Sequence, residues 1–411
     1  MTTKSTNIHI PKLRFSEFRN DGEWEAKRLG EIVEEVDDKC NISKLDIDTY
    51  ISTENMLQNF ECVKKASKLP EMGSFTCFKK GDILFSNIRP YLKKVWQAEF
   101  DGAASNDVIV FRALNGFDYH FVSQIIKSDS FIAHTMAGAK GVKMPRGDKN
   151  MMMDYIVCIP SLAEQQRIAA CLSALDEMLS ATNDKLERLK TYKKGLMQKL
   201  FPAKGKKLPE LRFKEFEKDG EWEVKKLEEI AEKITTKNKT NKKNPVLTNS
   251  AIEGIINQQD YFDREIVTKD NLMNYYLIEL DDFVYNPRIS NAAPVGPISR
   301  NKNGKGIMSP LYIIFRFKKG DIDFYEHYFR TSCWHQYLKN KANFGARFDR
   351  MNITNEDFLD MPLPFPLLAE QQRIASVLSE FDAMLSATKD KLEQLKAYKK
   401  GLMQQMFSTS K

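Results

Sequence analysis

The sequence predicts an α+β fold in which two globular mixed α/β domains alternate with two long helices. Three observations predict this fold. A segment of 40 residues, 162–201, recurs as 368–407 with 30 of its 40 positions identical. A shorter segment, 11–32, recurs as 209–230 with 15 of its 22 positions identical. Between these repeats, short β-type and helical segments follow the same order in both halves. The chain is therefore predicted to be an internal repeat with pseudo-twofold symmetry.

Each long repeat carries apolar residues at alternating steps of four and three, the a/d seam of a helix that packs along another helix. At about 1.5 Å per residue, such a helix reaches roughly 60 Å. Polar residues interrupt the seam at Thr182 and Lys193 and again at Thr388 and Lys399, as residues that fix register and partner do. The pattern favours pairing of the two helices as a rigid spacer over two separate amphipathic helices of ordinary domains. The seam residues are Ile168, Leu172, Leu175, Leu179, Leu186, Leu189, Leu196 and Leu200, then Ile374, Leu378, Phe381, Leu385, Leu392, Leu395, Leu402 and Met406.

The residues in front of each long helix differ between the copies. Ser161 and Glu164 have the spacing of a capping box at the first helix start. Leu367 takes the place of Ser161 in the second copy, which predicts a weaker cap there, although Pro366 marks the boundary.

The short repeats share the sequence DGEWE and a set of aromatic residues. Core packing is the expected role of these aromatics. They are Phe15, Phe18 and Trp24 in the first copy and Phe213, Phe216 and Trp222 in the second.

Two variable blocks, 33–160 and 231–366, lie between the repeats. In the first block, FTCFKKGDILFS, KKVWQAEF and SNDVIVFRA are predicted to contain strands that turn residues separate. LIELDDFVYNPRIS and SRNKNGKGIMSPLYIIFRF are their counterparts in the second block. Each block then continues with a helical segment and a basic loop that precedes the long helix. These segments are 117–138 and 139–150 in the first block and 322–342 and 343–352 in the second.

Composition and charge narrow the class of protein. The 411 residues carry a net charge of +7, which is compatible with a polyanionic partner. Residues 185–207 hold nine Lys or Arg against one acid, Glu187; a solvated helix face is the usual explanation, and a phosphate-facing or partner-facing surface is the alternative. The six cysteines contain no Cys-x-x-Cys pair, which argues against a zinc site or a disulfide framework. Without a signal peptide or a membrane span in the sequence, we expect a reducing, cytoplasmic location.

The sequence lacks the motifs of common catalytic sites. There is no G-x-G-x-x-G, no Walker sequence and no Asn/Asp-Pro-Pro-Tyr/Phe tetrapeptide of base-methylating enzymes. The pairs Glu25/Lys27 and Glu223/Lys225 mimic the acid-x-Lys of metal-dependent nucleases, but no separate strand supplies a third acid. The sequence therefore predicts a binding protein that is not an enzyme and holds no metal.

Readout of duplex DNA needs side chains that reach base edges and cations that hold phosphates. Loops in both variable blocks offer this mixture, and the two loops in front of the long helices rank first because they fall at equivalent places. Arg suits guanine and Asn suits adenine. The DNA-binding candidates are Arg89, Lys93, Lys94, Lys140, Lys143 and Arg146 in the first block, and Arg288, Asn291, Arg300, Lys305, Arg347 and Arg350 in the second.

The duplicated LAEQQRI at 162–168 and 368–374, each behind a proline-bearing strand end and in front of a heptad helix, resembles the specificity subunit of type I restriction-modification systems. GDILFSNIRP and GIMSPLYIIFRF are also similar to that family, and the resemblance covers essentially all 411 residues. It implies two target recognition domains that each read one half of a bipartite, asymmetric DNA site. It also implies that the long helices form an antiparallel coiled coil that fixes the gap between the half-sites.

The same resemblance implies partners and cofactors outside this chain. Two adenine methyltransferase subunits would carry S-adenosylmethionine, and restriction and translocase subunits would use ATP and Mg. The chain itself would hold no cofactor and no catalytic residue. The implied domains are two recognition domains at 1–160 and 204–366 and two spacer helices at 161–203 and 367–411.

Two other hypotheses stay open at this point. A two-headed coiled-coil scaffold that does not bind DNA would show no salt-dependent DNA affinity. A nuclease that acts alone would cut DNA with a metal and lose this activity on substitution of Glu25 or Lys27.

Overall fold

The structure is a computed structural model that describes residues 10–41, 45–239, 244–258, 269–344 and 349–407. Within these residues, no helix combines the length and the apolar character that crossing a membrane requires.

The first half of the chain contains ten short strands and four helices among its described residues. The strands are β1 (Glu25–Arg28), β2 (Val33–Glu35), β3 (Lys39–Cys40), β4 (Tyr50–Ile51), β5 (Phe75–Phe78), β6 (Ile83–Ser86), β7 (Val95–Gln97), β8 (Gly102–Ser105), β9 (Val108–Ala113) and β10 (Ile156–Ile159). The helices are α1 (Tyr119–Ile126), α2 (Asp129–Ala137), α3 (Lys149–Met153) and α4 (Leu162–Leu200). The helix predicted for 117–138 is split in two, because the side chain of Ser128 accepts a hydrogen bond from the N–H of Phe131 and starts a second helix.

The second half repeats this order. The strands are β11 (Glu223–Lys226), β12 (Ala231–Lys233), β13 (Leu247–Ser250), β14 (Gly254–Asn257), β15 (Tyr276–Ile278), β16 (Phe283–Tyr285), β17 (Ile298–Arg300), β18 (Gly306–Met308), β19 (Ile313–Phe317), β20 (Asn343–Phe344), β21 (Met351–Asn352) and β22 (Pro362–Phe365). The helices are α5 (Leu227–Ile230), α6 (Ile322–Phe329), α7 (His335–Lys341), α8 (Asn355–Leu359) and α9 (Leu368–Phe407). The predicted helix 322–342 is also split, into α6 and α7, although no side-chain cap starts α7.

The chain divides into two compact units. The first contains the residues up to Asn183 and those from Asp390 onward, and the second is Asp184–Lys389. Both boundaries fall inside a long helix. Each unit therefore contains one variable block and one segment of both α4 and α9.

The two units share two kinds of β-sheet. The four-stranded antiparallel sheet β2-β9-β6-β7 of the first unit has the same strand order as β12-β19-β16-β17 of the second. The antiparallel pairs β1–β10 and β11–β22 also correspond. The units differ elsewhere: the first adds the sheet β3-β5-β8-β4, and the second adds the pairs β13–β14, β15–β18 and β20–β21. The predicted common order of elements is confirmed.

One of the two inner strands of each shared sheet, β6 or β16, is buried on both faces. Ile83 and Phe85 of β6 pack in one core with the helices, whereas Leu84 packs in a second core. In β16, Phe283 and Tyr285 likewise face one core, and Val284 faces another. Because neither face of these strands meets water, their sequences are continuous apolar runs.

Segments of the long helices pack against each other in antiparallel orientation within each unit. In the first unit, Ile168 and Leu172 near the start of α4 share a core with Met406 at the end of α9. In the second unit, Leu200 at the end of α4 shares a core with Ile374 near the start of α9. These contacts agree with the predicted pairing of the seams.

The polar seam residues have defined partners. Lys399 donates to Asp176 at 2.5 Å in the first unit, and Lys193 donates to Asp382 in the second. The two pairs are related by the repeat, because Lys193 and Asp176 correspond to Lys399 and Asp382 at the offset that relates the long helices. The hydroxyls of Thr182 and Thr388 instead donate to carbonyls of their own helices. Ion pairs that recur at this offset are suited to fixing one register and one orientation of the two helices.

Only part of the predicted capping box forms at the start of α4. The N–H of Glu164 donates to the Ser161 hydroxyl at 3.4 Å, but the Glu164 carboxylate accepts hydrogen bonds from Arg14 instead of closing the box. At α9, the carbonyl of Leu367 accepts from the N–H of Gln371 at 3.0 Å. The missing hydroxyl at Leu367 therefore leaves the first helical turn intact.

The aromatic residues of the short repeats divide into two groups. Trp24 and Trp222 are each 3% exposed and belong to the main core of their unit, as predicted. The four phenylalanines are only half-buried. Two of them, Phe15 and Phe213, lie beneath the guanidinium groups of Arg167 and Arg373 at 5.0 and 5.1 Å.

Candidate nucleic-acid interface

In the first unit, the loop in front of α4 meets the segment that follows β6. Lys140 and Arg146 exchange two backbone hydrogen bonds of 2.9 Å, which makes residues 140–146 a closed hairpin. The N–H of Arg89 donates to the carbonyl of Pro145 at 2.8 Å, and Ile88 forms a β-bridge with Arg146. The structure therefore brings Arg89 together with the predicted loop, although more than fifty residues separate them in sequence.

The second unit contains the same contact between the loop in front of its long helix and the segment that follows an inner strand. We call these two contacts the first and the second junction. Arg288, which follows β16, forms an antiparallel bridge with Arg350 in front of α9. The N–H of Ile289 donates to the carbonyl of Asp349, and the N–H of Met351 donates to the carbonyl of Pro287, both at 3.0 Å. Two of the predicted candidates thus lie at this contact in each unit. Arg146 and Arg350 occupy equivalent places, whereas Arg288 corresponds to Ile88 and not to Arg89.

Three cations of the first junction, Lys140, Lys143 and Arg146, are exposed and only partly neutralised. Lys143 is exposed at the hairpin tip. Arg146 lies 2.9 Å from Asp107, and Lys140 lies 3.2 Å from Asp148, which lowers the pKa of the Asp148 carboxyl. Exposed pairs of this kind contribute little to stability and can exchange partners with a phosphate.

Arg89 has an unusual backbone. Its φ of 53° places it in the left-handed region, which costs free energy for a residue with a side chain. The Arg89 Nε atom is buried, and no hydrogen-bond partner for it occurs in the described part of the chain. The conformation aims the Arg89 N–H at Pro145, so the strain serves to hold the hairpin against the sheet.

The structure directs Lys93 and Lys94 to other neighbours. Lys93 pairs with Asp129 at 2.6 Å, and Lys94 donates to the carbonyl of Thr53 at 2.5 Å. Burial and the positive charge of Arg89 lower the pKa of Lys94. These contacts give both lysines a role inside the unit, and their contact with DNA stays a prediction.

The remaining candidates of the second unit are not all at its junction. Arg300 is 12% exposed and donates to Asp281, Asp323 and Glu326, so its guanidinium is committed to an internal ion-pair cluster. Arg300 pairs with Phe283 at the start of β16, whereas Arg288 follows the end of β16, so the two arginines lie at opposite ends of this strand. Asn291 and Lys305 are exposed on separate turns, and Arg347 lies outside the described residues. Contact of these residues with DNA stays a prediction.

A groove of about 490 Å³ adjoins the second junction. Arg350 and Pro287 line it together with Lys233, Tyr276 and Tyr312. Burial lowers the pKa of Lys233. The groove adds a mixed aromatic and cationic wall to the exposed surface beside Arg350.

Sequence reasoning missed the contacts that explain the repeated motifs. Arg14 of the first short repeat donates two hydrogen bonds, of 2.8 and 2.7 Å, to Glu164, and both side chains are almost completely buried. Arg212 and Glu370 form the same pair in the second unit. The shared Pro-x-Leu-Arg-Phe and LAEQQRI sequences were the available signal, but repetition alone does not say which residues meet.

The first glutamine of each LAEQQRI makes a second set of matched hydrogen bonds. Gln165 accepts from the N–H of Asp118 at 3.0 Å and donates to the carbonyl of Pro160 at 3.0 Å. Gln371 makes the same two bonds, to Asp321 and Pro366, at 2.8 Å each. Each long helix is thereby bonded to the start of the first short helix in its own variable block.

The acid-x-Lys pairs have a structural explanation. Lys27 lies 2.8 Å from Glu25 on β1, and Lys225 lies 3.2 Å from Glu223 on β11. In the part of the chain that the structure describes, no group of three His, Cys, Asp or Glu side chains could hold a metal ion.

The fold and the two junctions define a duplicated binding protein with a cationic surface in each half. The family described as Type I restriction modification DNA specificity domain matches residues 21–191 and 219–397. The chain therefore belongs to the type I restriction-modification specificity family, and it is a DNA-recognition specificity subunit.

Two relatives illustrate this similarity. The chain is 25% identical over 299 residues to the MjaVIII specificity subunit of Methanocaldococcus jannaschii, a match that covers 69% of this chain and 68% of that protein. It is 27% identical over 128 residues to the EcoDI specificity subunit of Escherichia coli, which covers 30% and 28% of the two chains.

Solved structures confirm the fold. The S subunit of a type I restriction-modification system from M. genitalium has a TM-score of 0.59 at 16% identity, over 98% of this chain and 100% of that one. A chain from a structure on the assembly and conformational transition of the type I R-M system has a TM-score of 0.54 at 19% identity, over 93% and 97%.

Proposed function

We propose that each unit reads one half of a bipartite, asymmetric DNA site and that the long helices set the gap between the half-sites. The observation that carries this proposal is the matched junction, Ile88 with Arg146 and Arg288 with Arg350, which presents cations at equivalent places of both units. The frame around the junctions is repeated, whereas the loops differ in sequence. Equivalent placement with different side chains suits the reading of two different half-sites.

The proposed partners include two copies of an adenine methyltransferase subunit, one on each unit. Exposed apolar residues of the long helices support two equivalent docking surfaces. Met178 and Tyr398 belong to the first unit and are 47% and 61% exposed; Met384 and Tyr192 of the second are 44% and 62% exposed. Because each member has its counterpart at the repeat offset, both units offer the same kind of surface to the same kind of partner.

The chemistry is proposed to reside in the partners. The methyltransferase subunits would carry S-adenosylmethionine, and the restriction and translocase subunits would use ATP and Mg. The ion pairs Glu25–Lys27 and Glu223–Lys225 support a non-catalytic role for this chain, because those carboxylates are bonded to their own strand neighbours. The proposed place of action is the cytoplasm, where such a complex would meet the cell's DNA.

Genome-wide mapping of methylated adenine tests the proposal. Cells that express this chain with its cognate methyltransferase are compared with cells that lack only this chain. We expect a split motif with a fixed gap in the first cells and its loss in the second. Identical methylation in both would overturn the specificity role and favour the scaffold that does not bind DNA.

A further inference from the structure

The hairpin in front of α4 exposes apolar side chains among its cations. Val142 is 103% exposed and Met144 is 49% exposed, and they flank Lys143 at the tip. Gly141, with a φ of +98°, makes the turn that brings them there. Pro145 behind them is buried and bonded to Arg89, so the tip projects from an anchored base.

Charge complementarity identifies what covers this tip. Lys140 and Arg146 at the base of the loop and Lys143 between the two apolar residues are exposed, and this concentration of cations fits a polyanion. The Lys140–Arg146 bridge holds the two ends of this loop together, and the major groove of B-form DNA admits two adjacent chain segments. The apolar group that DNA presents in that groove is the C5-methyl of thymine.

We propose that Val142 contacts a thymine methyl group in the half-site read by the first unit, with Met144 packing beside it. The proposal rests on the DNA-reading function proposed above. A valine side chain cannot hydrogen-bond a base edge, so its only sequence-specific partner in the groove is an apolar one. Val142 is thereby a specificity-determining residue, whereas Lys140 and Arg146 hold the backbone phosphates on either side.

Deoxyuridine tests the contact because it differs from thymine only by the missing methyl. The full chain with its methyltransferase subunits is titrated with duplexes that carry the mapped site, each with one thymine of this half-site replaced by deoxyuridine. One replacement should weaken binding of the wild type by about three- to tenfold. Val142→Ser and Val142→Asn, which carry no methyl group, should bind the unmodified site equally weakly and be insensitive to that same replacement.

Two controls separate this contact from other effects. Val142 touches solvent on all sides, so its substitution leaves the fold intact. Met72→Ala, at another strongly exposed apolar residue of the same unit, should bind like the wild type and keep its sensitivity to deoxyuridine. Replacements in the other half-site should affect every variant equally.

Several results would overturn the inference while leaving the DNA-reading function standing. These are a half-site without thymine, a wild type that is insensitive to every replacement, and a Val142→Ser variant that stays sensitive. Equal weakening on all sequences would instead indicate an apolar wedge without base selectivity. Failure of the broader function is a separate result, in which the mapped duplex and a scrambled duplex bind equally.

Discussion

His327 shows how a single residue couples the second unit to pH. The imidazole is 3% exposed; its Nε2 lies 3.1 Å from the hydroxyl of Ser379 and its Nδ1 3.8 Å from the carboxylate of Asp382. Burial, together with the charges of Lys193 and Arg330, lowers the pKa of His327 to about 4. The neutral imidazole is therefore the form that this packing stabilises.

This shift fixes the sign of a pH dependence. Between pH of about 6.5 and about 4, the unfolded chain binds a proton at this histidine and the folded unit does not. The contribution of His327 to the free energy of unfolding should thus be complete above pH of about 6.5. This free energy should fall by about 3 kcal/mol as the pH drops to about 4. Urea unfolding of wild type and His327→Gln at pH 7.5 and 4.5 checks it.

The Asp382 carboxyl, which faces His327, loses its charge only below this window. Burial alone would raise the pKa of Asp382. The hydrogen bond that Lys193 donates to it and the charge of Arg330 outweigh burial, so that the pKa of Asp382 is lowered overall. His120→Gln, at an exposed histidine, is the matched control and should keep the slope of the wild type. An equal slope in His327→Gln would show that other groups carry the acid sensitivity.

At the residue scale, the sequence could name candidates but not their neighbours. Arg89 and Arg146 are predicted separately, and only the fold shows that the backbone of Arg89 bonds to Pro145, the residue before Arg146. Arg300 was predicted from its type and place, but three carboxylates from other segments surround it. Such side-chain pairs join residues far apart in sequence, and one sequence contains no information on them.

At the scale of elements, predictability follows from local pattern. The heptad seams predicted helices at 162–201 and 368–407, and the structure has Leu162–Leu200 and Leu368–Phe407. In the first unit, the split of the shorter helix depends on a side-chain cap at Ser128, which apolar periodicity does not show. Strong periodicity over forty residues thus fixes an element that a short segment cannot fix by itself.

The docking surfaces give a prediction for the long helices. Tyr192→Ser should release one methyltransferase copy, Tyr398→Ser should release the other, and the double variant should release both, because each tyrosine supplies apolar area to one surface. Native mass spectrometry of the assembled complex counts the copies. Arg188→Ser, at an exposed polar position of the same helix, should keep two. Two copies in every variant would place docking on another surface.

For the whole molecule, duplication of the frame makes the two reading functions separable. Arg14–Glu164 and Arg212–Glu370 tie each short repeat to a long helix outside the variable block. Pairing of β1 with β10 and of β11 with β22 rests on backbone hydrogen bonds, which tolerate other side chains. A foreign variable block can therefore enter one unit and leave the frame of the other unchanged.

This separation predicts the outcome of a block exchange. Replacing residues 33–160 with the corresponding block of another specificity subunit should change one half of the methylated motif and preserve both the other half and the gap. Replacing 231–366 should give the reciprocal result, which makes each exchange the control of the other. Adenine methylation mapping measures both. A change of both half-sites, or of the gap, after a single exchange would contradict independent reading, because the helices and the second block are identical in that comparison.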